Sequence, residues 1–277
     1  MSQRDEFTLV IEAGRPEAHY WRDLWSYRGL FFFLAMRDVI VRYKQTVFGV
    51  GWALLRPLAT IIVFTIVFGT LAGLPSGDVP YALMVFAGLI PWQFFTGAFG
   101  GASESLVANA NMLSKVYFPR LIFPASAVMV SFVDLLISLI VFAGLMAWYR
   151  HPPDARILFL PVFILLAFAL ATGAGLWACA LNVRYRDFRQ IIPLVIQFGL
   201  YLSPVGFSRM VVPENWQAVY SLNPMVGIIE GFRWALLGGS TQLDLPSVLL
   251  AVAVTAVLLG TGLWYFRATE RSFVDIV

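Results

Sequence analysis

The chain has 277 residues, of which 60% are hydrophobic and 13% are charged, and its formal net charge is +3. Soluble domains carry about 25% charged residues, so the composition excludes a water-soluble globule and a disordered chain. Cys179 is the one cysteine, which also excludes a disulfide-stabilised secreted scaffold. The class that remains is a membrane protein with several spans.

The N-terminal segment has no short apolar run with a small-residue cleavage site, so we predict no removable signal peptide. Residues 20–45 carry apolar side chains at helical spacing, with charged residues between them. This pattern predicts an interfacial helix at the level of the lipid head groups. An amphipathic helix packed on a partner subunit would have the same pattern. The apolar positions are Trp21, Leu24, Trp25, Phe32, Ala35, Met36, Val39 and Tyr43.

Six apolar stretches approach the length of about 20 residues that a helix needs to cross a bilayer. Because the hydrocarbon region offers no water, the backbone of each stretch must bond internally, and we predict helices. The predicted fold is an all-α integral membrane protein, in which a cytoplasmic segment, residues 1–57, precedes one transmembrane domain, residues 58–277. The six predicted spans are residues 58–74, 81–103, 121–148, 157–181, 190–207 and 247–266.

The distribution of lysine and arginine predicts the orientation of these spans. Residues 1–56, the loops 109–120 and 182–190, and the C-terminal tail carry 15 of the 19 cationic residues. Cytoplasmic segments carry the excess of such residues. Both termini are therefore predicted to be cytoplasmic.

The region between the fifth and sixth predicted spans, residues 211–239, is divided by prolines and paired glycines into two segments. Neither segment, residues 214–222 or 225–237, is long enough to span a bilayer. We predict two short external helices that re-enter the outer leaflet, and a plain external loop is the alternative. Glu230 and Arg233 are three residues apart and are predicted to pair on one helix face.

No catalytic or nucleotide-binding motif is found in the sequence. The chain has no Gly-Lys dipeptide, so it lacks the phosphate-binding Walker A loop. Two histidines, His19 and His151, and a single cysteine cannot form a metal cluster of the usual spacing. We therefore predict that the chain is not an enzyme and that it holds no metal or cofactor of its own.

Two predicted spans carry polar and aromatic side chains at helical spacing. The fifth has a polar face along residues 190–208, and the second has an aromatic row beside a pair of glycines, Gly97 and Gly101. The faces predict contact with water or with a polar substrate, and packing against other helices is the alternative. The two glycines predict the close approach of another helix. The candidate channel-lining residues are Trp92, Phe95, Phe99, Gln197 and Tyr201.

Asp134 is the acidic residue deepest in a predicted span. An ionised aspartate at the centre of a bilayer costs about 2.5–3.5 kcal/mol on insertion scales. The side chain is therefore predicted to face the protein interior, to carry a proton or to have a cationic partner, and a structural partner is the favoured arrangement. A role in proton relay is the alternative, although no ladder of further acids accompanies it.

Five runs of sequence cover nearly the whole chain in order. They are RDVIVRYKQTVFGVGWALLRP at 37–57, YFPRLIFP at 117–124, NVRYRDF at 182–188, SPV at 203–205 and LNPMVG at 222–227. In these runs the chain resembles the polysaccharide-exporting permeases of ABC transporters, the membrane subunits that export O-antigen, capsule or teichoic acid. The resemblance favours the O-antigen exporters within this family.

The resemblance implies a homodimer of six-helix subunits that works with two copies of a separate ATP-binding subunit. That partner would bind ATP and magnesium, which agrees with the missing Walker A loop. Loop 109–120 would dock on the ATPase as a coupling helix, loop 184–187 would be a second contact, and residues 20–45 would form a gate helix. By themselves, the cations of both loops also fit simple positive-inside anchors. The residues implied in coupling are Asn109, Lys115, Tyr117, Arg120, Arg184, Arg186 and Asp187.

The function implied by the resemblance is export of an undecaprenyl-linked polysaccharide across the cytoplasmic (inner) membrane of a bacterium. Membrane lipids are expected partners and nucleic acid is not. The lipid pyrophosphate needs cationic contact at the inner leaflet, and the candidates equally suit other anionic head groups. Capsule or teichoic acid export and, more distantly, a secondary carrier are the alternatives. The candidate head-group residues are Arg37, Arg42, Lys44 and Arg56.

Overall fold

The computed structural model describes residues 20–44, 51–73, 79–113, 118–208, 211–239, 241–270 and Phe273, and every regular element in this part of the chain is helical. A π-helical stretch, Thr65–Leu71, continues α3, and a short 3₁₀ helix, Ala155–Phe159, precedes α7. The α-helices are α1 (Tyr20–Ser26), α2 (Arg28–Lys44), α3 (Gly51–Phe64), α4 (Tyr81–Ala108), α5 (Ala110–Leu113), α6 (Ile122–Trp148), α7 (Leu160–Arg184), α8 (Phe188–Tyr201), α9 (Glu214–Ser221), α10 (Pro224–Leu237) and α11 (Leu245–Thr269).

Four of the described helices are long and apolar enough to cross a membrane. They are α4, α6, α7 with its 3₁₀ extension, and α11, which correspond to the predicted second, third, fourth and sixth spans. The first predicted span is a shorter apolar helix, Pro57–Leu71, and the fifth is the 14-residue α8. The all-helical prediction is confirmed for the described residues, and the full set of six spans stays a prediction.

The predicted fifth span, residues 190–207, is too long, because α8 ends at Tyr201. Pro204 lies three residues further on, and proline has no N–H with which to continue a helix. The chain beyond α8 is held by a side chain instead, since Arg233 Nη2 donates to the Val205 carbonyl at 2.9 Å. The prediction of one polar helix face along residues 190–208 is therefore wrong beyond Tyr201.

Helix α4 forms the centre of the bundle and packs against α6, α7 and α10. Its residues from Ala82 to Trp92 are all buried. A Cβ placed on Gly97 would lie 3.0 Å from Ser131 Oγ, and one on Gly101 would lie 3.6 Å from Ala127 Cβ. The close helix approach predicted from this glycine pair is confirmed as the contact between α4 and α6.

The helix ends that were predicted to be cytoplasmic lie together at one end of the bundle. Buried side chains there join the ends of α4, α7 and α11 to the start of α6 and to α2. Burial of a shared apolar cluster holds the ends of these helices together. Representative members are Leu34, Leu106, Phe123, Val183 and Phe266.

Helices α1 and α2 turn most of their large apolar side chains outward. Trp21, Trp25, Phe32 and Met36 are each more than half exposed, while α2 packs along α6. Lipid tails are as apolar as these side chains, so outward exposure is favourable for a helix in contact with a bilayer. The predicted helix at residues 20–45 is thus two helices, separated at Tyr27.

The two short helices predicted after the fifth span are present as α9 and α10. Helix α10 packs against α4, α7 and α11 and is largely buried, so a plain external loop is wrong for this segment. Asn223 caps its start by accepting the N–H of Met225 at 3.0 Å. The predicted Glu230–Arg233 pair is confirmed, with 3.1 Å between Oε1 and Nη1. Re-entry of these helices into the outer leaflet stays a prediction.

Helices α7 and α11 cross so closely that two glycines have no room for a side chain. A Cβ on Gly173 would lie 2.6 Å from the backbone nitrogen of Leu259, and one on Gly262 would lie 2.5 Å from the Gly173 carbonyl oxygen. Small residues allow helix backbones to approach in this way in membranes. Gly260, on the same helix, has open space around it.

Replacing Gly262 with leucine should destabilise the bundle by at least about 1–3 kcal/mol, because the new side chain must push two backbones apart. The measurement is the thermal unfolding midpoint of the purified chain in detergent. Gly260→Leu places the same side chain on the same helix in open space and should leave the midpoint unchanged. Equal midpoints for the two variants would contradict the close crossing.

Candidate functional site

A cavity of about 410 Å³ lies between α2, α4 and α6. It lies towards the end of the bundle where the predicted cytoplasmic helix ends meet. Its wall combines cations with acids and small polar side chains, an unusual composition for the interior of an apolar bundle. The charged lining residues are Arg37, Asp38, Arg42 and Glu104, and the polar ones are Ser105, Asn109, Ser126 and Ser131.

Arg37 joins α2 to the loop that follows α4. Its Nη2 donates to Asn109 Oδ1 at 3.3 Å, and its Nε donates to Asp38 Oδ1 at 2.8 Å. Asn109 Nδ2 in turn donates to the Ser105 carbonyl at 2.8 Å, which satisfies one of the unpaired carbonyls at the end of α4. The candidate gate helix and the candidate coupling loop therefore share a direct side-chain contact.

Asp134 has a cationic partner, which is one of the arrangements that its depth allows. Arg42 Nη2 lies 2.9 Å from Asp134 Oδ2, and the hydroxyl of Tyr43 donates to Oδ1 of the same carboxylate. Burial, together with the bond to this carboxylate, raises the pKa of Tyr43 well above its usual range. The phenol therefore stays protonated and remains a donor. We call Arg42, Tyr43 and Asp134 the clasp.

The other two candidate head-group residues are not part of the cavity lining as described. Lys44 is exposed at the end of α2. Arg56 belongs to α3, and its side chain lies outside the described residues. The structure therefore brings Arg37 and Arg42 together at one cavity, with Lys44 nearby in sequence.

The candidate coupling loop 109–120 is held to the bundle near both of its ends. The first contact is the bond between Asn109 and Arg37. At the other end, the backbone N–H of Arg120 donates to Glu270 Oε1 at 2.8 Å, directly after α11. Movement of this loop would therefore pull on α2 and α11 together.

The structure describes only some of the candidate coupling residues. Lys115 and Tyr117 lie outside the described residues. Arg184, Arg186 and Asp187, in the second candidate contact, are all exposed. These three side chains present two cations and an acid at the bundle surface.

The candidate channel-lining residues do not face one common space within the single chain. Phe95 and Phe99 stack with ring centroids 5.6 Å apart, and both pack against α8. A Cβ on Gly199 of α8 would lie 2.7 Å from Trp92 Cη2. Helix α8 therefore covers the aromatic row. Gln197 and Tyr201 are instead on the exposed face of α8.

Sequence reasoning missed the partners of these side chains. Tyr43 counts as an apolar position in the helical pattern, yet its hydroxyl bonds to Asp134, 91 residues away. The contact of Arg37 with Asn109 bridges 72 residues. No local spacing signals such pairs. The cost of an acid in the membrane was the one usable signal, and it allowed a cationic partner without identifying one.

Comparison with known proteins adds a family to this geometry. Residues 29–237 match the family described as ABC-2 type transporter. The O-antigen export system permease protein RfbA of Myxococcus xanthus is 24% identical over 258 residues, which are 92% of this chain and 98% of that protein. The polysialic acid transport protein KpsM of Escherichia coli is 22% identical over 246 residues, 87% of this chain and 93% of that protein.

A third relative, the inner membrane transport permease YadH of Escherichia coli, is 27% identical over 201 residues, 67% of this chain and 75% of that protein. The family match extends from the start of α2 to the end of α10. It takes in the cavity, the clasp and both candidate coupling loops. The chain is therefore a multi-pass membrane permease and belongs to the ABC-2 type transporter family.

Proposed function

We propose that this ABC-2 permease exports a lipid-linked polysaccharide, with O-antigen as the favoured cargo, across the cytoplasmic membrane. The energy comes from ATP hydrolysed by a separate subunit. The observation that carries the proposal is a charged cavity beneath α2, with α2 bonded through Arg37 to the candidate coupling loop at Asn109. Similarity to a protein named as an O-antigen export permease, over 92% of the chain, supports the cargo. Capsular polysaccharide is the second candidate, because KpsM is named as a polysialic acid transport protein.

The working unit is two copies of the chain with two copies of the ATP-binding subunit. The exposed face of α8 is the surface that we assign to the second copy, because the polar Gln197 lies there among Leu194, Val195 and Phe198, and lipid tails offer it no hydrogen bond. The separation of the five candidate channel residues supports this assembly. A second copy beside α8, with α8 displaced from α4, would bring the aromatic row and Tyr201 to one passage.

ATP-driven closure of the partner subunits pushes on loops 109–120 and 184–187. The bond between Asn109 and Arg37 passes that movement to α2, and the bond between Arg120 and Glu270 passes it to α11. The exposed Arg184–Asp187 loop supplies the second contact. Alternating movement of α2 and α8 then threads the glycan outward.

The lipid diphosphate binds at the cavity through Arg37 and Arg42, with Lys44 and Arg56 as further cations. Guanidinium groups match phosphate oxygens well, because two parallel N–H donors can bond to one phosphate. The acids Asp38 and Asp134 hold these arginines in place while the cavity is empty. The same geometry suits the head group irrespective of which glycan it carries.

Neutralising Arg42 and Lys44 together, as Arg42→Gln with Lys44→Gln, should lower glycan export at least about tenfold, the loss expected for one missing charge-assisted contact. Surface glycan is measured in cells that lack the unaltered chain, with the membrane content of each variant determined by immunoblot. Arg22→Gln with Arg28→Gln removes two charges from exposed positions of the same segment and should cause a much smaller loss. Unchanged export in the first variant would remove Arg42 and Lys44 from the mechanism.

The proposal is tested first by purifying the chain in lipid with and without a candidate ATP-binding subunit. We expect stable association of the two subunits and ATP hydrolysis whose rate depends on the presence of the permease. A folded permease that associates with no such subunit would refute the proposal.

A further inference from the structure

Two consecutive residues of α2 hold one carboxylate of α6. In the clasp, Arg42 contacts one oxygen of Asp134 and Tyr43 donates to the other. Asp134 lies 12 residues after Ile122, the first residue of α6, which is about 18 Å along the helix. The clasp therefore fixes the C-terminal end of α2 to α6 far from the start of that helix.

The arginine of the clasp belongs to the cavity as well. Arg42 is one of the residues that line it, whereas Asp134 and Tyr43 are not. The Arg42 guanidinium carries one positive charge, which its contact with Asp134 Oδ2 partly neutralises. An anion in the cavity and the carboxylate of Asp134 would repel each other at this guanidinium, so the two compete for it.

This ion pair is of a kind that a ligand can exchange. The side chains of Arg42 and Asp134 are 43% and 29% exposed in the single chain, and Arg42 borders the cavity, so protein does not enclose the guanidinium. The pair of Arg233 with Glu230 differs, because Arg233 is buried and also donates to three backbone carbonyls. Within the described part of the chain, the Arg42 guanidinium has no such backbone anchor.

We propose that Asp134 is an internal competitor for the diphosphate head group, and that exchange of this carboxylate for the head group at Arg42 releases α2 from α6. The proposal rests on the proposed function, which supplies the ligand. A diphosphate can bind arginine through two parallel hydrogen bonds. It also carries more negative charge than one carboxylate. After the exchange, the hydroxyl of Tyr43 is the one side-chain contact of the clasp that remains, and it holds the C-terminal end of α2 less firmly. An empty cavity keeps this end of the gate helix on α6, and an occupied cavity lets it open more often.

The test uses the full chain in lipid nanodiscs with its ATP-binding partner, and farnesyl diphosphate as the probe. Hydrogen–deuterium exchange of the α2 amides reports whether the helix is held, and an equilibrium titration reports probe affinity. For the unaltered chain, we expect saturating probe to speed exchange in α2 about tenfold, because a released helix opens more often. If the probe binds without a change in the exchange rate of the α2 amides, the displacement of Asp134 by the head group is overturned, and the head-group site itself stands.

Two further ligands identify the recognised group. If inorganic pyrophosphate releases α2 as strongly as farnesyl diphosphate does, the displacement of Asp134 is supported and the diphosphate alone is recognised. If inorganic pyrophosphate releases α2 more weakly, the displacement is supported and the ligand is one that a lipid carries. Farnesol should have no effect, and release of α2 by farnesol would overturn the proposal. If farnesyl diphosphate does not bind to a complex that still hydrolyses ATP, both the displacement of Asp134 and the head-group site are overturned. The assignment of the chain as a permease would still stand.

Asp134→Asn removes the competitor and keeps the shape of the side chain. In this variant α2 should exchange rapidly without probe, and the probe should bind about fivefold tighter, as expected when a partly exposed ion pair no longer opposes it. Tyr43→Phe keeps the ion pair and is the matched control, with probe affinity changed less than about twofold. Equal or weaker affinity in Asp134→Asn would overturn the proposal. If Asp134→Asn does not fold, hydrogen–deuterium exchange of α2 in the unaltered chain, with and without probe, still decides whether the head group displaces Asp134.

Discussion

Replacing Arg233 with leucine should leave little folded protein in the membrane. The side chain is 3% exposed and donates to the carbonyls of Met84, Val205 and Phe207 at 2.9–3.2 Å. It also pairs with Glu230 at 3.1 Å. Removing one partner of a buried ion pair costs about 3–5 kcal/mol, which is a large part of the 5–15 kcal/mol that holds a typical protein folded.

The measurement is the amount of monodisperse protein extracted from membranes, together with its thermal unfolding midpoint. Arg156→Leu is the matched control at another arginine outside the cavity. Arg156 bonds to the Thr241 carbonyl at 3.0 Å and lies over the Trp234 ring, but it is partly exposed, and its loss should cost about 1 kcal/mol or less. If Arg233→Leu matches Arg156→Leu in yield and midpoint, the carbonyl network contributes no stability of its own.

Changing Arg184, Arg186 and Asp187 together to alanine should lower ATP-dependent export at least about tenfold. Exposed charges at an interface act mainly on partner association, and truncating a few well-placed ones costs 1 kcal/mol or more, roughly, at each position. The three side chains are exposed, so the chain itself should fold normally. Co-purification of the ATP-binding subunit and the rate of ATP hydrolysis in lipid measure the effect.

The control for this variant removes exposed side chains from other surface positions. Arg150→Ala with Gln242→Ala alters two exposed positions that lie outside both candidate coupling loops. Association and hydrolysis should both be preserved. Normal co-purification of the triple alanine variant would show that loop 184–187 is only a membrane anchor, as its cations alone also allow.

The sequence predicted the fold best where a single energetic term, the removal of apolar side chains from water, determines the structure. Burial of apolar area predicted α4, α6, α7 and α11, and Gly97 with Gly101 predicted a close helix contact. Pro204 is a local signal for the end of α8 that the predicted span did not use. The path of the chain after α8 could not be predicted, because it depends on Arg233, which reaches the Val205 carbonyl from a helix further along the chain. A pattern of local spacing contains no information on such a contact.

The candidate site was predictable in part for the same reason. The cost of an ionised Asp134 in lipid left an interior position, protonation or a cationic partner as alternatives, and the structure shows the cation, Arg42. The choice of Arg42 over other cations depends on how α2 packs along α6, which no residue of α2 alone specifies. The aromatic row of α4 was predictable as a row, but its cover by α8 depends on the fit of Gly199 to Trp92.

Export itself tests the central claim most directly. Inverted membrane vesicles that contain the chain and its ATP-binding partner are loaded with a radiolabelled lipid-linked polysaccharide on their outer, cytoplasmic leaflet, and ATP is added. We expect the glycan to become protected from an added glycosidase at a rate that requires ATP and is lost when the partner's hydrolysis is blocked. ATP-driven export of this cargo would be contradicted if the glycan became protected equally fast without ATP. It would also be contradicted if a complex that hydrolyses ATP gave no protection.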